Sequence, residues 1–337
     1  MNENIIRLKP KSAYDLIFGA LTGAGTSHAN ARYFADAILD TELSGLEGHG
    51  FYWLQYYCAH LQCGKVNGKA KPVVKRLSPV SFMVDAKQGF AHPAIEKGFA
   101  KLIPAAKKYG IAGLGISKSY NAATLGFHTG TLAKAGLVAF GFTNAMPAMA
   151  PVGGRKKVIG TNPLSFAVPG RNGKIAFLID QSSSAVTWTA VKRASEANTS
   201  IPLGWALDVD GKPTTDPHKG LEGSMAPAGG TRGFGQGLIV EVMCAALAES
   251  FRGLEMNSFT DNKGRSIGCG QFFIAISPKL FAPGNFDRQV KALTKSITSQ
   301  QGARMPNARR IENQKRLKRD GLPIDTALYE KLKSFCK

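Results

Sequence analysis

The sequence predicts a mixed α/β fold, and three features predict it. Apolar runs with strand propensity occupy residues 137–142, 164–168 and 175–179. Each run ends in a cluster of Gly, Pro, Asn, Thr and Ser, where bare backbone N–H groups and small hydroxyls collect at the end of a sheet. Helical periodicity holds over residues 11–24, 27–47 and 91–109. The polar clusters together, Thr143-Asn144-Ala145-Met146-Pro147, Gly160-Thr161-Asn162-Pro163 and Asp180-Gln181-Ser182-Ser183-Ser184, point to a binding site and not to turns alone.

In chain order, Ser27 before His28-Ala29-Asn30 is the expected N-cap of the second helix. Glu47-Gly48-His49-Gly50 breaks that helix, and a third follows to Gly64 with an aromatic face of Phe51, Trp53, Leu54, Tyr57 and Leu61. Residues 73–76 and 80–84 read as paired short strands, 91–109 as a helix and 111–116 as a buried strand. The polar loop 117–123 opens another helix that ends near Gly136, ahead of the central strands. Residues 185–197 are then helical, and 201–230 form a long irregular segment of the kind that usually carries function. Gly229-Gly230-Thr231-Arg232-Gly233 opens an apolar helix at 234–248, 271–276 is a strand, and the remainder is helical and basic. There is no internal repeat and no low-complexity linker.

A chain of 337 residues, 44% hydrophobic, can bury a sizeable core. No apolar run reaches the length of a membrane span, and Met1-Asn2-Glu3-Asn4 opens no signal peptide, so a cytoplasmic protein is expected. The five cysteines are scattered without a Cys-x-x-Cys pair, and the six histidines lack metal spacing, so no metal site is expected. The formal charge of +20 suits a nucleic-acid partner, an anionic substrate and cofactor, or merely a basic surface. No zinc-finger spacing, aromatic RNA-binding motif or basic region leading into heptads supports a nucleic-acid partner.

Gly-x-Gly-x-x-Gly, the Walker loop, His-Glu-x-x-His and Gly-x-Ser-x-Gly are all absent. His49, between two glycines at a helix break, is the best general acid on offer, with a loop histidine satisfying local hydrogen bonds as the alternative. The segment at 229–233 is either an anion seat, with free N–H groups and the Arg232 guanidinium, or a plain helix N-terminus.

Several motifs together resemble the malate/L-lactate dehydrogenase-like NAD(P)-dependent oxidoreductases. They are His49-Gly50, Gly89-Phe90-Ala91-His92-Pro93-Ala94, Gly160-Thr161-Asn162-Pro163, Gly204-Trp205-Ala206-Leu207-Asp208, Pro213-Thr214-Thr215-Asp216-Pro217 and Pro227-Ala228-Gly229-Gly230. The resemblance runs from about residue 10 to about residue 320. It implies an α/β fold that is non-Rossmann: a largely antiparallel cofactor-binding sheet with a helical N-terminal part, in a homodimer. The implied division is 1–72 for the helical part carrying His49, 73–303 for the cofactor- and substrate-binding part, and 304–337 for a basic helical segment.

The resemblance also assigns roles. His49 would give the proton to a substrate oxygen or imine nitrogen while NADP or NAD gives hydride to the adjacent carbon, and the basic residues tilt the choice toward NADP. Asn121, Ala122, Ala123, Thr124 and Leu125, then Asp180, Gln181 and Ser182, then Thr231 and Arg232, and finally Arg304 and Asn307 match cofactor segments. Thr161 matches a substrate-contacting threonine. Four positions depart from the family pattern. Gly48 replaces a serine, and Trp53 stands where many members carry a carboxylate-clamping arginine, which makes it a substrate contact of another kind. Tyr120 replaces a histidine and becomes a competing donor, while Ala190 replaces a Lys or Asp that assists the catalytic histidine. The implied substrate is a small anionic 2-oxo or 2-hydroxy carboxylic acid of the malate, lactate or sulfolactate kind. A cyclic imino acid is the alternative within the enzyme class, and a ligand-binding member that has lost catalysis is the alternative outside it.

Overall fold

A computed structural model describes residues 4–46 and 48–336. Met1, Asn2 and Glu3, Glu47 of the expected helix break, and Lys337 lie outside the described residues. A short strand, β1 (Ile5–Leu8), comes first and was not anticipated. Helix α1 (Pro10–Gly23) starts on a proline, whose missing N–H is not needed in a first turn. Helix α2 (His28–Leu43) is capped as expected, the Ser27 hydroxyl accepting the Asn30 N–H at 3.4 Å. It stops at Leu43 and not at 47, because Gly45 turns into the left-handed region at φ 71°. The N–H groups of Gly45 and Leu46 then fold back onto the carbonyls of Glu42 and Thr41, a Schellman closure.

Helix α3 (Phe51–Gln62) is followed by β2 (Val73–Ser78), β3 (Ser81–Asp85), α4 (Ala91–Tyr109), β4 (Ile111–Ser119) and α5 (Leu125–Lys134). The central strands are β5 (Val138–Thr143), β6 (Leu164–Pro169) and β7 (Ile175–Gln181), and α6 (Trp188–Glu196) comes next. Residues 201–230 are more ordered than their composition suggests. They fold as β8 (Ala206–Leu207), β9 (Pro213–Thr214), α7 (Pro217–Glu222) and β10 (Ser224–Met225), with the Asp216 carboxylate capping α7. Helix α8 (Thr231–Glu241) begins ahead of residue 234 and passes into a π-helical stretch at Val242–Leu247. After β11 (Cys269–Ile276) come α9 (Pro278–Phe281), α10 (Phe286–Thr298), α11 (Ala308–Asp320), β12 (Leu322–Asp325) and α12 (Thr326–Lys333).

The main sheet has seven strands in the order β2-β3-β4-β11-β5-β6-β7. Its neighbours are antiparallel except β3 and β4, which α4 joins as a crossover helix. Helices α4 and α5 cover one face, burying Val84, Ile95, Leu102, Leu114, Leu125 and Phe273. Strands β10-β8-β9 form a small second sheet around Met149, Ile159, Val191 and Met225. Strand β1 pairs antiparallel with β12, Ile5 opposite Asp325 and Leu8 opposite Leu322. The basic C-terminal segment thereby joins the N-terminal helices in one core, where Leu317, Leu322, Ile324 and Leu332 pack with Phe34, Leu54 and Tyr57.

Two buried histidines lie side by side, His92 of the Gly89–Ala94 motif on α4 and His128 on α5. His92 and His128 are 2% and 3% exposed, with ring centroids 5.0 Å apart, and neither ring nitrogen of His92 has a partner. Burial holds His92 well below its ordinary value and lowers His128 to about 4. Between pH 6.5 and about 4 the unfolded chain therefore binds a proton at His128 that the folded chain does not. Stability is full above 6.5 and falls as the pH drops toward 4, by about 3 kcal/mol for this group. Urea unfolding across that range should show the loss, and His128→Phe should reduce it, leaving the part that buried His92 contributes.

Candidate active site

His49 sits in the turn between α2 and α3, and that turn is held from two sides. The His49 N–H donates to the Leu46 carbonyl at 2.9 Å. The buried Glu42 carboxylate accepts the Phe51 N–H, placing a negative charge at the N-terminus of α3. Gly50 packs so closely on the Glu42 side chain that a Cβ there would overlap the carboxylate. Helix α3 then projects Trp53 and Tyr57, one turn apart, toward the same space as His49.

The loop after β4 forms the second wall. The Asn121 amide donates to the Tyr57 hydroxyl at 2.7 Å and its oxygen accepts the Ala123 N–H at 2.7 Å, which holds Ala123 at φ 50°. The third wall hangs on Asn162, fully buried at φ 35°. Its side chain accepts the Ala145 N–H at 3.2 Å and donates to the Gly237 carbonyl at 2.9 Å and the Glu241 carboxylate at 2.8 Å. The Thr161 carbonyl accepts the Ser183 N–H at 2.8 Å and the Ser182 hydroxyl at 3.0 Å. The polar clusters at strand ends are thus cross-linked to one another.

They enclose a cavity of about 140 Å³ lined by His49, Trp53, Tyr57, Asn121, Ala123, Ala145, Met146, Ala148, Thr161, Trp188 and Phe259. No Lys, Arg, Asp or Glu is among these residues. A larger cleft of about 480 Å³ lies between the end of α2, the end of β7 and the start of α11, lined among others by Leu46, Asp180, Gln181, Arg304, Asn307, Arg309 and Arg310. Asp180 organises the ground between the two. Its carboxylate accepts the Gly126 N–H at 3.0 Å at the start of α5 and pairs with Arg310 at 3.2 Å. Burial lowers the imidazolium pKa of His49 below its ordinary 6.5, while the Asp180 charge raises it and that of Arg310 lowers it further.

Most expected site residues reach one cavity or the other. Trp53, Asn121, Ala123 and Thr161 line the small one with His49, and Asp180, Gln181, Arg304 and Asn307 line the large one. Ala122, Thr124 and Leu125 are buried behind the loop, the Thr124 hydroxyl bonding Thr41 at 2.9 Å. Ser182 bonds the Thr161 carbonyl from the adjacent strand end. Thr231 and Arg232 are exposed on the first turn of α8 and line neither cavity. Tyr120, expected as a competing donor, is fully buried and gives its hydroxyl to His60 Nδ1. Burial raises its phenol pKa well above the ordinary 10, and it does not line the cavity, so of the two expected donors only His49 does. The Trp53 indole N–H is used on Thr189 at 3.2 Å, leaving its ring as the wall.

Tyr57, Trp188, Phe259 and Arg310 were not anticipated. Tyr57 was legible one turn after Trp53 on the aromatic face, and Arg310 was one cation among many in a basic tail. Phe259 lies in a stretch with no periodicity at all.

The malate/L-lactate dehydrogenase family model matches residues 8–333 of this chain. The chain belongs to that family. Within the malate/L-lactate dehydrogenase family it is 36% identical over 325 residues to a (2R)-3-sulfolactate dehydrogenase (NADP(+)) from Chromohalobacter salexigens, covering 96% of each chain. It is 33% identical over 333 residues to a Δ(1)-pyrroline-2-carboxylate reductase from Ancylobacter novellus, covering 98% of this chain and 97% of that one. The fold superposes on a Δ1-piperideine-2-carboxylate reductase from Pseudomonas syringae with a TM-score of 0.91 at 29% identity, over 98% of this chain and 99% of that one. Sulfolactate dehydrogenase from Methanocaldococcus jannaschii gives 0.89 at 30% identity, over 98% and 96%. Like other members of the malate/L-lactate dehydrogenase family, this protein is an oxidoreductase.

Proposed function

We propose that the protein transfers hydride between NAD(P)H and the carbon of a C=O or C=N bond beside a carboxylate, in a substrate that fits the small cavity. The observation that carries this reading is His49: it is the one residue lining that cavity whose ordinary pKa lies near neutrality. A nicotinamide, when bound, supplies the hydride. Reduction of the carbonyl or imine then needs one proton at the oxygen or nitrogen, and His49 gives it; in the reverse direction neutral His49 takes it back. Tyr57, Asn121 and Thr161 offer hydroxyl and amide groups to orient the carboxylate and the reacting bond.

The first reading is a small 2-oxo acid reduced to its 2-hydroxy acid. The uncharged cavity, walled by Trp53, Trp188 and Phe259, favours a singly charged substrate with an apolar body, because a second buried anionic group would have no lining cation. The same observation gives weight to a cyclic imino acid as the second reading. Steady-state assay of pyruvate, oxaloacetate, sulfopyruvate and Δ1-pyrroline-2-carboxylate with NADPH and NADH tests both. Turnover of none of these with either cofactor would overturn the proposal, and retained NADPH binding in that case would point to a ligand-binding member.

The cofactor would be held without a doubly wound parallel sheet, which agrees with the antiparallel main sheet and the missing glycine fingerprint. Arg304 and Arg309 line the large cleft, whereas Arg310 is engaged by Asp180, so guanidinium groups are available to a 2′-phosphate. We expect NADPH to bind more tightly than NADH, and Arg304→Ala to weaken NADPH about tenfold while leaving NADH unchanged. Equal affinities in fluorescence titration would refute the preference.

Leu238, Ile239 and Val242 stand 45%, 57% and 56% exposed on α8 and its continuation, an apolar face that a second copy of the chain would cover in a homodimer. Sedimentation should give twice the 35.9 kDa chain mass, and a monomer at micromolar concentration would count against the dimer. Among the described residues no helix is long and apolar enough to cross a membrane, and no group of three His, Cys, Asp or Glu is placed to hold a metal ion. The five cysteines are free, which supports placing the protein in the reducing cytoplasm.

A further inference from the structure

The loop at residues 256–266 covers the small cavity with one side chain, Phe259, and a buried ammonium holds that loop. Lys65, in the connection after α3, has a side chain with no exposure to solvent. Its Nζ donates to the Ser258 carbonyl at 2.6 Å and the Asp261 carbonyl at 2.9 Å, and pairs with the Asp261 carboxylate at 3.1 Å. An ammonium has three N–H donors, and the three acceptors all belong to this loop. His60, also fully buried, reaches the Asp261 carbonyl through Nε2 at 2.9 Å, while its Nδ1 takes the Tyr120 hydroxyl.

Phe259 lies between the two pinned carbonyls. Its ring stands 5.2 Å from Tyr120 and 6.1 Å from Trp53, and it lines the cavity together with His49. The loop's outer residues, 260–265, are exposed and add no apolar burial that would keep it in place. Its ends are tied to each other by Asn257 Nδ2, which donates to the Arg265 carbonyl at 2.9 Å, and to the rest of the fold by Arg265 over the Phe251 ring and Met256 against the N-terminal core. Burying an ammonium is costly unless every donor is matched, so its presence under this loop marks the loop's position as something the fold maintains.

We propose that Phe259 is a specificity-determining residue that limits the size of the substrate's side chain, and that Lys65 and His60 are positioning residues that act through it by holding the loop closed. This rests on the reading of the small cavity as the substrate pocket. It adds a way in which that pocket selects among 2-oxo acids.

The test compares kcat/KM for pyruvate and phenylpyruvate, a small and a large side chain on the same reacting group. Phe259→Ala should raise the phenylpyruvate-to-pyruvate ratio at least about tenfold, with NADPH affinity held within about twofold. Lys65→Met should move the ratio the same way, and Lys65→Met/Phe259→Ala should match Phe259→Ala alone, because Lys65 acts through the ring. A loss of both activities in proportion, with the ratio unchanged in Phe259→Ala, would overturn the specificity role. Trypsin digestion at the exposed Lys263 and Arg265 reads the clamp without any substrate. The wild-type loop should resist and the Lys65→Met loop should be cut, and equal cutting rates would overturn the clamp. If the wild type turns over no substrate while digestion still separates the two proteins, the pocket assignment fails and the clamp stands.

Discussion

Replacing His49 with alanine should lower kcat by about 10²–10⁴-fold and leave NADPH binding nearly unchanged. Hydride addition to a carbonyl builds charge on the oxygen, and a placed acid removes it as it forms. No other residue around the small cavity can give a proton near neutral pH, since the Tyr57 phenol is raised by burial. Because burial lowers the His49 pKa below 6.5, kcat/KM for reduction should fall as pH rises through an apparent value under 6.5. The oxidative direction, which needs the neutral ring, should rise across the same range. Both limbs should disappear in the alanine variant. Tyr120→Phe is the control: its hydroxyl serves His60, so turnover should persist. Wild-type turnover in His49→Ala combined with its loss in Tyr120→Phe would mean that the proton comes from elsewhere.

Asn162→Ala should cost about 3 kcal/mol of stability, visible as a lower urea midpoint. The change removes three side-chain hydrogen bonds at once and takes a donor from the buried Gly237 carbonyl and from one oxygen of the half-buried Glu241. It also removes the residue type best suited to a left-handed backbone at φ 35°. Activity should fall as well, because Asn162 holds Ala145 and Thr161 at the cavity. An unfolding midpoint equal to wild type would show that water replaces the amide at no cost.

The parts of this molecule that were legible in the sequence are those governed by neighbours along the chain. The expected helix at 91–109 is α4, Ala91–Tyr109, because an apolar stripe lies between clear stops, and Gly110 takes a left-handed turn at φ 94°. Helix α2 stops short of the expected residue 47 because Gly45, and not Gly48 or Gly50, closes it. Strands β8, β9 and β10 are two residues each, too short for alternation to show, so their segment looked irregular. Strands β1 and β12 each have four residues and find their partner across most of the chain, a pairing that no local pattern records. The site divides in the same way. His49, Asn121, Thr161 and Asp180 belong to compact motifs, whereas Phe259 and Trp188 enter the cavity through tertiary packing alone.

The pairing of β1 with β12 has a consequence for the order of events on a ribosome. The main sheet is complete once β11 has emerged at Ile276, but the helical layer that carries His49 lacks Leu317, Leu322, Ile324 and Leu332 until the last segment follows. A nascent chain can therefore assemble its sheet first, and the helices that flank His49 gain their full packing only after α11, β12 and α12 have followed.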